Sequence, residues 1–196
     1  MKILPLTRPR VPVAAGLSTV ELMLVVAIIG ILSGVVITVS GNEWRRERVN
    51  TVALELAGWL EQVRGASLRE TNSSVSAGGC VITLSNLTSQ PAGSTLASVS
   101  PTSCSPQSTF ILTGVSTSGD RYSTASTNGT SVTFTPRGSV LTTNSSNVDI
   151  KILLDGTSLM RCVRVVATLG SIRIGRNDTA TGIASSCPDA SFGGRF

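Results

Sequence analysis

Apolar and polar positions divide the chain into three stretches of different rhythm. From Leu22 to Ile37 every residue is apolar or glycine apart from Ser33. Apolarity without a polar face predicts a helix covered on all sides. After Gly41 the pattern turns amphipathic. Val49, Val52, Ala53, Leu56, Leu60, Val63 and Ser67 recur at helical spacing, and Trp59 borders that stripe. Charged residues such as Glu43, Arg46, Glu47, Glu61 and Arg69 fill most of the rest. No proline stands between Val13 and Gln90, so the spacing predicts one helix from about Leu17 to Glu70, roughly 80 Å at 1.5 Å per residue. Its second half is expected to lay its stripe on a C-terminal sheet.

Beyond Thr71 the chain becomes polar and punctuated. Strands are predicted at Cys80–Leu84, Phe110–Val115, Ser131–Thr135, Val148–Leu154, Leu159–Thr168 and Ser171–Gly175. In the fourth, Val148, Ile150, Ile152 and Leu154 alternate as a half-buried strand should. The tracts "SQPAGSTLASVSPTSCSPQS" and "STSGDRYSTASTNGTS" lack the apolar content to pack and are expected to be solvated loops.

Composition sharpens this picture. With 41% hydrophobic but only 4% aromatic residues, the core has to come from Val, Ile, Leu and Ala. A length of 196 residues fits one domain, or one domain with an appendage. The formal charge of +5 owes three positive residues to Lys2, Arg8 and Arg10. Without them 13 Lys/Arg face 11 Asp/Glu, too even a balance to argue a nucleic-acid partner by itself. The chain has no histidine, which excludes imidazole zinc sites, His acid–base pairs and His triads. Cys80, Cys104, Cys162 and Cys187 show no C-x2–4-C knuckle. In an exported chain they read as two disulfides. Three pairings are open, and Cys80–Cys104 with Cys162–Cys187 closes the shortest loops.

Residues 1–40 fit three patterns. One is a signal peptide cut near Val39-Ser40-Gly41. Another is a plain transmembrane anchor over Leu17–Val39, in which Glu21 is an unexplained cost. The third places cleavage after Gly16 and keeps the apolar helix on the mature chain. Leu17 then becomes the N-terminus, with Glu21 four positions beyond it. An ionisable group in an apolar segment calls for a partner. The freed α-amino group of a neighbouring chain would be one, because opposite charges attract strongly at low dielectric.

The stretch "AGLSTVELMLVVAIIGIL" resembles the processing site of type IV prepilins and type II secretion pseudopilins. That resemblance implies a leader over residues 1–16, cut by prepilin peptidase between Gly16 and Leu17, and N-methylation of Leu17. It also implies that Glu21 directs assembly. Leu17 replaces the commoner Phe, and Gly30, Gly34 and Gly41 stand where many members have a kinking proline. "VTFTPRGSV", with Phe134, Pro136 and Gly138 as an F-x-P-x-G element, and the late "LMRCVRVVATLGSIRIGR" are similar to the C-terminal domain of GspH/FimT-type minor pilins. The fold implied is α+β and pilin-like. A long N-terminal helix, membrane anchor over 17–40 and amphipathic over 41–71, would pack on an antiparallel β-sheet head over 72–196.

The implied function is a minor pilin or pseudopilin, a structural subunit and no enzyme, at or near the tip of a type IV pilus or a type II secretion pseudopilus. Expected partners are other pilins or pseudopilins, prepilin peptidase and, before assembly, inner-membrane lipid. The expected location is single-pass in the bacterial inner membrane with a periplasmic head, then the filament. No cofactor or metal is expected. The alternative is DNA uptake, because FimT-type relatives carry a C-terminal G-R-x-R motif. Here Gly170-Ser171-Ile172-Arg173 replaces its first arginine with serine. Arg161, Arg164, Arg173 and Arg176 lie in a window, 156–176, that holds no acid. A two-residue turn at Leu169-Gly170 would place Arg164 and Arg173 diagonally on one face and Arg161 and Arg176 on the other. Arginine forks suit phosphate, but no aromatic ladder for single strands accompanies them. The competing reading pairs these arginines with Asp149, Asp155 or Asp178.

Overall fold

In the computed structural model the described residues are 18–69, 79–113, 119–142, 145–167 and 169–193, and within the helix the side chains of 35–40 and 42 fall outside the description. Gly16 and Leu17, the expected cleavage site, lie outside it too. The chain divides into two compact units, Met1–Asn42 and Glu43–Phe196. The stretch Thr19–Ser67, α1, is helical, and its described side chains form two runs, 19–34 in the first unit and 43–67 in the second. Over 18–34 every residue is exposed.

In the second unit the helical stripe is the centre of the core. Val49, Val52, Ala53, Leu56, Leu60 and Val63 are fully buried. Polar tethers at the margins of the stripe fix its rotation. Trp59 Nε1 donates to Gln107 O at 3.0 Å, and its ring lies tilted on Phe110. At the last turn Ser67 Oγ bonds Arg64 O at 2.7 Å and Thr135 O at 3.3 Å. The first satisfies a carbonyl that the helix end leaves open, and the second ties that end to the residue after β6.

Among the described residues ten strands follow: β1 (Cys80–Leu84), β2 (Leu87–Pro91), β3 (Thr95–Ser100), β4 (Thr109–Ile111), β5 (Arg121–Ser126), β6 (Ser131–Phe134), β7 (Val140–Thr142), β8 (Val148–Leu154), β9 (Met160–Val165) and β10 (Ile172–Asn177). They make two antiparallel sheets, ordered β4-β3-β1-β6-β7 and β10-β9-β8-β5-β2. Inner-face residues of both sheets, among them Ile82, Leu96, Phe134, Ile150, Ile152 and Val163, join the helical stripe in one cluster. β8 was expected to be half-buried, but both its faces are covered. Leu153, Met160 and Cys162 on the outer face pack with Ala180, Cys187 and Phe192 of the C-terminal segment. Cys162–Cys187 ties that segment down, and Cys80–Cys104 ties the start of β1 to the 3-10 turn Thr102–Cys104. Each closes a loop of about 25 residues, a tether contributing about 3 kcal/mol in the chain-entropy account.

The expected pilin-like architecture, one long N-terminal helix laid on a single antiparallel sheet head, is corrected. The two described runs of helix belong to separate units, and the larger unit is mainly β, with two five-stranded sheets. The expected membrane anchor over 17–40 and the single-pass inner-membrane location are corrected as well. Among the described residues no helix is long and apolar enough to cross a membrane.

The strands β2, β3, β5 and β7 were not expected. β3 and β5 lie inside the Ser/Thr-rich tracts read as loops. Hydroxyls make β5 possible: Ser123 Oγ donates to Asp155 Oδ1 at 2.7 Å and Thr124 Oγ1 to Ser85 O at 3.0 Å. The same oxygens accept the N–H groups of Ser89 and Leu87, where a bulge interrupts the β2–β5 ladder. Side-chain hydroxyls there replace missing ladder bonds.

Gly79 enters β1 with φ +101°, and a Cβ there would overlap the Phe134 carbonyl oxygen. Gly58, by contrast, sits on the exposed side of α1 with no atom near a built Cβ. Gly79→Ala is expected to lower stability by about 2 kcal/mol or more. Gly58→Ala should raise it by about 0.5–1 kcal/mol. Denaturant unfolding of the two variants checks both signs.

Candidate functional site

Two places stand out from the sequence, the start of α1 and the arginine window, and the chain builds them differently. At the start of α1, Ser18 Oγ accepts the Val20 N–H at 3.3 Å. Glu21 Oε2 accepts the Ser18 N–H at 2.9 Å. The Glu21 half is that of a capping box S-x-x-E, spelled out by Ser18-Thr19-Val20-Glu21, while the Ser18 hydroxyl caps the N–H of Val20 rather than that of Glu21. The sequence reading assigned Glu21 an intermolecular role and passed over this local one, although the signal is four letters long. The carboxylate also faces the positive end of the helix dipole. Around and beyond it, from Val20 to Leu32, ten large apolar side chains are 49–73% exposed.

The arginine window forms the β9–β10 hairpin. Arg164 lies directly opposite Arg173, and Arg161 directly opposite Arg176. The strands close at Val166 and Ser171, with Val166 N–H on Ser171 O at 2.9 Å, so a two-residue turn at Leu169-Gly170 is not what forms. The register moves by two residues. Such a shift leaves each side chain on its expected face and turns diagonal pairs into direct ones.

Two of the four arginines are consumed internally. Arg161 is 3% exposed. Its NH1 bonds Asp178 Oδ1 at 2.7 Å and Met160 O at 2.8 Å, and its Nε bonds Asn50 of α1. Arg164 forks onto both oxygens of Asp149, at 2.6 and 2.8 Å, and reaches Asp189 at 2.6 Å. Its guanidinium lies 3.9 Å from the Phe192 ring centroid. Hydrogen bonding to Asp149, opposed by burial and reinforced by Asp189, raises its pKa further above the ordinary arginine value. Asp155, the third expected acid, accepts from Ser123 instead. A phosphate would have to displace these carboxylates, and leaving one partner of a buried pair uncompensated costs about 3–5 kcal/mol. Arg173 and Arg176 stay exposed, on opposite faces of β10.

A third cluster escaped the sequence reading. Tyr122, the single tyrosine, is fully buried, and its hydroxyl has no hydrogen-bond partner among the described residues. Beside it Arg48 of α1 pairs with Asp120. Burial first, then the Asp120 charge, pushes the phenol pKa above 10.0, while Arg48 pulls the other way. No family model matches the chain, and neither does any curated protein or solved structure.

Because the folded pKa of Tyr122 is raised, folded and unfolded chains both carry the neutral phenol below about pH 10. Above that the unfolded chain ionises first and binds fewer protons, so stability contributed by the neutral phenol is lost as pH rises through the folded value. With one tyrosine, phenolate absorbance reads this residue alone. It should appear only above pH 10 and together with unfolding. Tyr122→Phe should remove this contribution to the alkaline loss of stability.

Proposed function

We propose that the chain is a minor pilin or pseudopilin, a structural subunit that joins a type IV pilus or type II secretion pseudopilus through the start of α1. The observation that carries the reading is the exposed helical run from Leu22 to Leu32, whose side chains are all apolar. Contiguous apolar surface of this kind is rare on a protein that works alone. Each side chain covered by a neighbour would contribute about 1.5–3 kcal/mol before the cost of association. The prepilin-like letters Gly16, Leu17 and Glu21 supply the rest. Cleavage after Gly16 would free the Leu17 α-amino group. In a filament that group would meet a neighbour's Glu21 among apolar side chains, where pairing offsets the cost of burying either charge. The DNA-receptor reading would rest on Arg173 and Arg176 alone.

Capping and assembly make different demands on Glu21, and one experiment separates them. Mature protein should begin at Leu17 on N-terminal sequencing. Ser18→Ala, which removes the Oγ half of the cap and leaves the bond from the residue-18 N–H to Glu21, should lower helix stability by about 1 kcal/mol and still enter filaments. Glu21→Ala should be lost from filaments. Equal incorporation of Glu21→Ala and wild type would sink the proposed role.

A further inference from the structure

Each sheet has two edge strands, and three of the four are poor templates for a further strand. β4 and β7 have three residues each. β2 is bulged between Leu87 and Gln90, has Ser89 at φ 49°, and ends in Pro91, which has no N–H. β10 differs: it runs six residues in unbroken register with β9, and the 3-10 turn Asp189–Gly193, packed on it, takes the edge only at Arg176, through Ser191, leaving Ile172–Ile174 open.

The hydrogen-bond parity of β10 follows from its turn. Val166 N–H on Ser171 O makes those two a bonded pair. Alternation along an antiparallel ladder then turns the backbone groups of Arg173 and Gly175 toward β9, and those of Ile172, Ile174 and Arg176 outward. The outward N–H of Arg176 is taken by Ser191 Oγ at 3.3 Å, which agrees with this assignment. The outward N–H and C=O groups of Ile172 and Ile174 have no partner among the described residues.

We propose that this open edge receives an extended, acidic strand of another protein. Arg173 and Arg176 flank the open groups, one on each face, and neither has an acid partner among the described residues. Like charges on facing strands repel, so the arginines discourage a second β10 from pairing with this one, the usual hazard of an exposed edge. The same charges favour an incoming strand whose acids stand three positions apart, since that spacing places one opposite each arginine and on the matching face. Main-chain bonds to Ile172 and Ile174 then supply affinity, and the two ion pairs supply register and selectivity. The proposal stands apart from the filament reading, because it uses no residue of the apolar helix.

The test is amide hydrogen exchange on the full chain with two probes. One is a Thr/Val peptide of about eight residues with glutamates three positions apart, and the other is its lysine counterpart. At about ten times its dissociation constant the glutamate peptide should slow exchange at Ile172 and Ile174 about tenfold, with the lysine peptide inert. The double variant Arg173→Glu/Arg176→Glu should reverse that preference, while protection of the β9-paired amides Arg173 and Gly175 reports that it is folded. If the variant fails to fold, the wild-type contrast between the peptides still decides. No slowing by the glutamate peptide, or equal slowing by both, overturns the proposal. So does slowing that depends only on protein concentration, which would mean a second copy on the edge. A salt-sensitive oligonucleotide shift without any peptide effect also overturns it and assigns the arginines to nucleic acid.

Discussion

The larger unit depends on covering one helical stripe with aliphatic side chains. With aromatics scarce, Tyr122 and Phe134 are the largest side chains fully buried there, and most of the coverage comes from Val, Ile and Leu on two sheets at once. Such a core is tolerant of small changes at any one place but gives weak orientation, because aliphatic contacts are non-directional. Directional bonds at the rim supply what the core lacks. Trp59 to Gln107, Ser67 to Thr135, Arg161 to Asn50 and the Arg48–Asp120 pair each join α1 to a different part of the β structure. Together they fix the rotation and axial position of the helix.

The basic window shows the same division of labour on the other side of the second sheet. Asp149, Arg164 and Arg173 lie in a row across β8, β9 and β10. Two arginines side by side would repel, and Asp149 forking onto Arg164 relieves that repulsion on one side only. Asp189 and Phe192 complete the enclosure of Arg164 and, with Cys162–Cys187, hold the C-terminal segment over the outer face. Charge density in the sequence therefore overstates free charge on the surface. Of four cations in the window, the two at the edge of the sheet remain for an outside partner.

Legibility in the sequence followed the strength of the apolar signal. The stripe from Val49 to Val63 and the limits of β1 and β8 could be read because period constrains them directly, and of three open cysteine pairings the one that forms closes the shortest loops. β3 and β5 could not. Buried Ser123 and Thr124 look like loop residues until their partners Asp155, Ser85 and the β2 amides are known, and those partners are distant in sequence. Missing these strands hid the second sheet, and with it the β-rich character of the unit. The hairpin turn was misplaced for a related reason. Gly170 advertises a tight turn, but it sits one residue past the centre, where its N–H returns to Val166 O and its Cα lies against the Gly138 carbonyl.

In the proposed assembly one carboxylate, Glu21, would serve a local and a distant purpose. In the single chain, capping employs Oε2 and the Ser18 N–H, and Oε1 has no partner among the described residues. The cap holds the side chain close to the helix terminus and so removes rotamer freedom that an intermolecular pair would otherwise have to remove itself. A freed Leu17 amino group from another subunit would then approach a carboxylate already positioned and already favoured by the helix dipole. The apolar run that follows, Leu22 to Leu32, has no polar group competing for that amine. Preorganisation by the cap and isolation by the neighbouring side chains thus act on the same group, and each strengthens the case for the other.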